Sequence, residues 1–162
     1  MSAKTLIAQL EAKGLKLAIA ESITGGLLSS ELVSVPGASK VVLGSIVAYQ
    51  TGLKSSALGV GSQLLEERGP VDPEVAIEMA EGIRSRLSLQ LLISTDKVIG
   101  VSTTGVAGPD EQDGKPVGMV FIAVAGVRGV KVWAEELSGD RNQIRASAAS
   151  QAILHVEEYL AG

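Results

Sequence analysis

Two kinds of hydrophobic pattern alternate along the chain. Continuous apolar runs, which favour buried strands, lie at 15–20, 41–49, 98–102, 117–126 and 130–137. Segments with helical spacing or helix-start residues lie between and around them, at 2–13, 27–33, 62–68, 72–88 and 140–160. The fourth helix ends near Ser88 or continues to about Ile93, because the sequence there fits a helix or a strand. The run at 41–49 is apolar almost throughout, so we expect that strand to be covered on both faces of a sheet.

Cap residues support the helix boundaries. Ser2 is a suitable N-cap for the first helix, and Asp72 followed by Pro73 is a strong helix start. Asp140 and Gln143 have the spacing of a capping box at the start of the last helix. Helices and strands alternate until a hairpin joins the last two strands. This order predicts a single α/β domain over residues 1–162, with three α/β/α layers around a mixed, mostly parallel sheet.

Polar segments follow three of the predicted strands. They are 22–26, 49–54 and 103–110, the last within a long glycine-rich loop that extends to Pro116. In open α/β sheets, ligands bind beyond the carboxyl ends of the strands, so we expect these segments to converge. Together they offer the hydroxyl of Ser22, the phenol of Tyr49 and the amine of Lys54.

Ser22 lies where a strand turns into a helix, and Gly25 and Gly26 follow it. Glycines allow a close backbone approach to a ligand, and the free N–H groups of the next helix turn would point at whatever Ser22 touches. This arrangement suits a nucleophile with its own oxyanion donors. The simpler interpretation is an ordinary strand–helix turn with a capping Ser or Thr.

Lys54 and Tyr49 are candidates for activating this serine. A lysine in a dry pocket loses its proton near neutral pH, because desolvation disfavours the charged form. It can then act as the base for Ser22, with Tyr49 passing the proton. The alternatives are a solvated loop lysine and a half-buried tyrosine at the end of a strand.

Three charged residues suggest how a substrate could be held. Arg141 and Arg145 lie in the first turns of the last helix, where the helix dipole disfavours cations. A bound anion would resolve this conflict, although both could be surface arginines beside Asp140. Asp110 could accept hydrogen bonds from a sugar or simply end a turn. These residues favour a small phosphorylated substrate.

Composition narrows the classes of function. The chain has no cysteine, 2% aromatic residues and a net charge of −4, which disfavours a thiolate nucleophile, a disulfide framework and nucleic-acid binding. No run of eighteen apolar residues or signal peptide is visible, so we expect no membrane association and a cytoplasmic location. His155 is the only histidine and lies mid-helix, which argues against a Ser-His-Asp triad and a histidine-built zinc site.

The segment Ala20–Gly26 resembles the A-E-S-C-T-G-G signature of the CinA C-terminal-domain family, the nicotinamide-nucleotide amidases. The resemblance covers about residues 6 to 160, and its further matches occur in order along the chain. They are 36–39, 47–49 with Lys54, 58–60, 105–110, 115–118 and 139–141 with Arg145.

The resemblance implies hydrolysis of nicotinamide mononucleotide to nicotinate mononucleotide and ammonia. It also implies a catalytic set of Ser22, Tyr49 and Lys54, with no metal and no organic cofactor. The substrate-binding positions that it suggests are Thr24, Gly25, Gly26, Ser39, Gly105, Ala107, Gly108, Asp110, Arg141 and Arg145. The expected partner is a small-molecule nucleotide rather than a nucleic acid or a membrane, and the chain is expected to form a homo-oligomer.

The sequence departs from the family pattern at positions that bear on substrate preference. Ile23 replaces the usual cysteine, Gln50-Thr51 replaces Ser-Asn, and 111–114 is shorter and more acidic. Many relatives carry an N-terminal partner domain, and this chain resembles the stand-alone form. The rival interpretations are a non-catalytic nucleotide-binding module and an interaction protein in a competence or DNA-damage assembly.

Overall fold

The computed structural model describes residues 2–162, which form six helices, five strands and two short 3₁₀ turns. The helices are α1 (Ala3–Ala12), α2 (Leu27–Val33), α3 (Thr51–Leu58), α4 (Ser62–Arg68), α5 (Pro73–Gln90) and α6 (Arg141–Ala161). The strands are β1 (Lys16–Glu21), β2 (Val42–Val47), β3 (Val98–Gly105), β4 (Met119–Gly126) and β5 (Gly129–Glu136). The 3₁₀ turns are Ala38–Lys40 and Thr95–Lys97. None of these helices is both long enough and apolar enough to cross a bilayer.

The strands form one mixed sheet in the order β2-β1-β3-β4-β5. β1 pairs in parallel with β2 and β3, whereas the hairpin of β4 and β5 continues the sheet antiparallel to β3. The carboxyl ends of β1, β2 and β3 therefore lie at the same edge. The predicted single-domain α/β fold with a mixed sheet is confirmed.

The two faces of the sheet carry side chains of different size. Large aliphatic residues such as Leu17, Ile19 and Ile122 face α1, α2 and α6. At its centre, the opposite face under α5 carries small residues such as Ala18, Ala20 and Ala123, while larger ones such as Phe121 and Ile46 lie further out. This lets α5 pack very closely against the sheet.

The predicted helix caps are confirmed. The side chains of Ser2 and Asp72 accept hydrogen bonds from backbone N–H groups at the starts of α1 and α5. Asp140 and Gln143 form a reciprocal capping box at the start of α6. Short-range hydrogen bonding determines these boundaries, which explains why local sequence was sufficient to place them.

Three local expectations were wrong. β2 is an edge strand with half-exposed side chains, although its apolar run predicted burial on both faces. β3 continues through Thr103, Thr104 and Gly105, which pair with β4 instead of beginning the loop. Residues 51–58 form helix α3, so Lys54 is a helical residue and not a loop residue.

Candidate active site

A cleft of about 300 Å³ lies at the carboxyl ends of β1, β2 and β3. All three polar segments predicted from the sequence contribute to its walls. The lining residues that come from these segments are Ser22, Ile23, Tyr49, Gln50, Thr51, Lys54, Thr104, Gly105, Val106, Ala107, Gly108 and Asp110. The convergence at this edge follows from the parallel pairing of β1 with both of its neighbours.

Ser22 is held at the first position after β1. Its backbone N–H donates to the carbonyl of Thr103 at 3.0 Å, and the next residues form a tight turn into α2. Gly25 and Gly26 have φ values of +57° and +100°, a region that side-chain-bearing residues rarely adopt. The glycines of the motif are therefore needed for the turn itself.

Lys54 contacts Ser22 directly. Its Nζ donates to Ser22 Oγ at 2.8 Å and to the carbonyl oxygen of Ala48 at 3.0 Å. Helix α3 brings the lysine back over the end of β1, across 32 residues of sequence. Hydroxyl and amine are thus within the distance needed for proton transfer.

The environment of Lys54 shifts its protonation equilibrium towards the neutral amine. Lys54 is only 1% exposed, and no carboxylate forms an ion pair with it among residues 2–162. Burial lowers the pKa of Lys54 from 10.5 to about 8, because desolvation penalises the ammonium form. The simpler interpretation of Lys54 as a solvated loop lysine is wrong.

The carboxylate of Glu21 occupies the start of α2. It accepts hydrogen bonds from the backbone N–H groups of Gly26, Leu28 and Ser29 at 2.8, 3.2 and 3.0 Å. The expectation that these N–H groups point at the ligand is therefore wrong, because a side chain of the protein itself accepts from them. Sequence reasoning missed this role, since a glutamate at a strand end gives no sign of its direction.

Other N–H groups remain available beside Ser22. In the described part of the chain, the backbone N–H groups of Ile23 and Thr24 make no hydrogen bond. Ile23 also lines the cleft. Thr24 is fully buried and does not line the cleft, so the N–H of Ile23 is the candidate donor for an oxyanion next to the serine hydroxyl.

Tyr49 lies at the mouth of the cleft and not between Ser22 and Lys54. It is 59% exposed, and its hydroxyl accepts from Arg141 Nη2 at 2.8 Å. Arg141 also donates from Nη1 to the carbonyl of Gly108 and so bridges two walls of the cleft. The expected relay of the proton through Tyr49 is not seen, because Lys54 Nζ contacts Ser22 Oγ directly.

Five other predicted residues do not line the cleft: Thr24, Gly25, Gly26, Ser39 and Arg145. Arg145 donates to the carbonyls of Ile23 and Thr24 at 3.2 and 3.0 Å, so backbone oxygens take the place of the expected anion. The hydroxyl of Thr24 bonds that of Thr103 at 2.8 Å in the interior. Ser39 lies in the 3₁₀ turn before β2, at the amino ends of the parallel strands, whereas the cleft is at their carboxyl ends. Substrate binding by these residues stays a prediction.

The end of β3 and the loop that follows it form another wall of the cleft. Gly105, Ala107, Gly108 and Asp110 all line the cleft, as the sequence predicted. Gly108 has a φ of +84°, and a Cβ at Gly105 would lie 2.7 Å from the carbonyl oxygen of Met119. Both glycines are thus required by the backbone path of this wall.

His155 has a structural role. Its ring stacks on Trp133 with centroids 4.4 Å apart, and its two nitrogens bond Glu135 and Glu158 at 2.7 and 2.8 Å. It is absent from the residues that line the cleft. Residues 2–162 contain no group of three or more His, Asp or Glu side chains arranged to hold a metal.

The profile of the family described as the CinA C-terminal domain matches residues 1–160 of the chain. The chain belongs to this family. It is 47% identical over 146 residues to a CinA-like protein of Frankia casuarinae, an alignment that covers 90% of this chain and 32% of that protein. A CinA-like protein of Dictyoglomus turgidum is 45% identical over 135 residues, which cover 82% of this chain and 31% of that protein. The chain spans about a third of the length of these curated relatives.

Crystal structures of the same superfamily share the fold over almost the whole chain. The competence/damage inducible protein CihA from Agrobacterium tumefaciens superposes with a TM-score of 0.88 at 31% identity, covering 99% of this chain and 93% of that one. A CinA superfamily protein from Escherichia coli gives 0.88 at 29% identity, with 97% and 87% covered. The CinA family and its fold are therefore both shown for this chain.

Proposed function

We propose that this CinA-family chain hydrolyses the carboxamide of nicotinamide mononucleotide, with Ser22 as nucleophile and Lys54 as general base. The observation that carries the proposal is the 2.8 Å contact between the serine hydroxyl and a buried amine whose pKa is lowered to about 8. A hydroxyl is a weak nucleophile until an adjacent base takes its proton. The neutral form of a buried lysine supplies that base without a histidine.

The first half of the reaction forms an acyl-enzyme. Neutral Lys54 removes the hydroxyl proton as Ser22 Oγ attacks the amide carbon, and the resulting oxyanion accepts from the Ile23 N–H group. Lys54 returns the proton to the amide nitrogen, the carbon–nitrogen bond breaks and ammonia leaves. Water then attacks the ester with Lys54 again as base, which releases the carboxylate product and regenerates Ser22.

The cleft suits a small phosphorylated ligand. Its volume of about 300 Å³ is at the lower end of the range of roughly 300–1,000 Å³ for small-molecule sites. Arg141 at the mouth donates to Tyr49 and Gly108, and the remaining N–H groups of its guanidinium suit the oxygens of a phosphate. The resemblance of the residues around Ser22, Tyr49 and Lys54 to the nicotinamide-nucleotide amidases supports this substrate.

The proposal is tested by incubating the protein with nicotinamide mononucleotide and following nicotinate mononucleotide and ammonia. We expect turnover by the wild type and loss of about 10³-fold or more in kcat for Ser22→Ala and Lys54→Ala. Ser30→Ala is the matched control, because Ser30 is exposed on α2. Turnover that survives in folded Ser22→Ala would contradict the mechanism, and a folded wild type without turnover would contradict the substrate.

A further inference from the structure

Glu21 is a buried carboxylate that the proposed chemistry does not use directly. It is fully buried, precedes Ser22 in the chain, and forms no ion pair with any cation among residues 2–162. We infer that Glu21 is a positioning residue, which fixes the Ser22 hydroxyl for attack through the turn at 22–26. The inference rests on the proposed function, because it assigns Glu21 a part in that same reaction.

The side chain of Glu21 holds the far end of the nucleophile turn. One oxygen accepts from the N–H groups of Gly26 and Leu28, and the other accepts from the N–H of Ser29. A negative charge is stabilised at the start of a helix, and N–H bonds to a carboxylate are stronger than those to a neutral acceptor. The turn is thus closed by a carboxylate that belongs to the preceding strand.

The main chain of Glu21 also connects to the base. Its carbonyl oxygen accepts from the N–H of Ala48 at 2.8 Å, and the carbonyl oxygen of Ala48 accepts from Lys54 Nζ. Lys54 Nζ in turn contacts Ser22 Oγ. Glu21 therefore lies in one short series of hydrogen bonds that orients both members of the Ser22–Lys54 pair.

The site calls for a carboxylate and not merely for a polar side chain. Three N–H donors converge on two oxygens, and an ionised carboxylate presents only acceptors. A glutamine of the same shape would place its NH₂ group against at least one N–H donor. The turn would then relax, and Ser22 would move from its contact with Lys54.

The test compares Glu21→Gln with wild type in two assays. The first measures kcat and KM for nicotinamide mononucleotide. The second measures the rate at which phenylmethylsulfonyl fluoride labels Ser22, located by peptide mass. Ser102→Ala is the matched control, since Ser102 is a buried residue of β3 that bonds the carbonyl of Ala76 at 2.6 Å under α5. Ser29→Pro, in the first turn of α2, removes one of the three N–H donors and also the hydroxyl bond from Ser29 to the Gly26 carbonyl at 3.1 Å. Ser29→Ala, which loses only the hydroxyl bond, is its control.

We expect Glu21→Gln to lower kcat and the labelling rate by about ten-fold or more, with KM within about two-fold, because small displacements of reacting groups slow the chemical step. Ser29→Pro is expected to have a smaller effect in the same direction, and Ser102→Ala to keep wild-type rates. Folded Glu21→Gln with wild-type rates would overturn the inference. If that variant does not fold, wild-type labelling of Ser29→Pro would overturn it.

The two proposals fail in different ways. Wild type that is labelled at Ser22 but does not hydrolyse the nucleotide contradicts the proposed function, and the labelling rates still decide the role of Glu21. Wild type that neither hydrolyses the nucleotide nor is labelled at Ser22 contradicts both, because the inference requires an activated serine. Wild type that hydrolyses the nucleotide without being labelled supports the proposed function, and the kcat of Glu21→Gln then decides the role of Glu21.

Discussion

Lys54 is the residue at which function and stability oppose each other. An ammonium group that is 1% exposed and has only a hydroxyl and a carbonyl as partners is poorly solvated. The same desolvation makes the amine available as a base near neutral pH. The catalytic advantage and the energetic penalty therefore have one physical cause.

The pH dependence of hydrolysis should follow the protonation of Lys54. Because burial lowers its pKa to about 8, roughly one molecule in ten carries the neutral amine at pH 7. We expect kcat/KM to rise with pH and to level off above an apparent pKa of about 8. A profile that is flat from pH 6 to 9, with substrate and protein stable throughout, would contradict lysine as the base.

Replacement of Lys54 by methionine should abolish activity and change how stability depends on pH. The pKa of Lys54 is lower in the folded chain than the 10.5 of the unfolded one, so the unfolded state binds more protons between about pH 8 and 10.5. Wild-type stability therefore rises with pH through this window, and the methionine variant lacks this contribution. From pH 7 to pH 10 the free energy of unfolding of wild type should gain about 2 kcal/mol relative to Lys54→Met. Denaturant unfolding at both pH values measures the difference, and parallel pH dependences would show that the ammonium is well solvated.

The role of a single residue could be predicted where it depends only on the position of that residue in the chain, and not on where its side chain points. Ser22 and Lys54 were predicted together because both follow strands whose carboxyl ends must meet. The role of Glu21 was not predicted, since sequence does not show that its side chain turns back to the start of α2. Arg145 was placed correctly in the helix, but its acceptors are carbonyls of a segment more than 100 residues away.

At the scale of elements, the errors arise where tertiary contacts override local pattern. The apolar run of β2 predicted full burial, although topology places this strand at the edge of the sheet. Residues 51–58 contain a glycine and two serines and gave only a weak helical signal, yet helix α3 forms there. Helices with clear caps, such as α5 and α6, were placed from sequence because their start signals are local.

The contact between α5 and α3 should be sensitive to a single methyl group. A Cβ at Gly82 would lie 1.8 Å from the carbonyl oxygen of Leu58, the last residue of α3, so Gly82→Ala must displace this helix. We expect a loss of about 2 kcal/mol or more in unfolding free energy. Activity should also fall, because α3 carries Lys54.

Gly52→Ala is the matched substitution, since it also lies in a helix but has open space around its Cβ position. It should leave stability unchanged or raise it by about 0.5–1 kcal/mol, because alanine is the better helix former. Thermal unfolding of both variants checks the pair, and equal effects would refute the packing argument.

At the scale of the whole molecule, the cleft joins parts of the chain that are far apart in sequence. The first third supplies Ser22 and Lys54, β3 and its loop supply another wall, and α6 supplies Arg141. Arg141 connects these parts, since it bonds both Tyr49, 92 residues away, and Gly108. The alternation of helices and strands predicted that these segments meet at one cleft. It could not predict that Arg141 donates the hydrogen bonds that connect the walls of the cleft.

Arg141 should therefore couple nucleotide binding to the stability of the whole domain. In a Ser22→Ala background, which prevents turnover, nicotinamide mononucleotide at a hundred times its Kd should stabilise the fold by about 2.7 kcal/mol. For a chain of this size the corresponding increase in Tm is roughly 5–10 °C. We expect Arg141→Ala to remove most of this shift at the same nucleotide concentration, because phosphate loses its guanidinium partner. Arg128→Ala is the matched control. Arg128 lies in the β4–β5 turn, where its guanidinium packs over the ring of Tyr159 of α6. This turn is at the amino end of β3, whereas the cleft is at the carboxyl end. A shift that persists in Arg141→Ala, or disappears equally in both variants, would show that the phosphate is bound elsewhere.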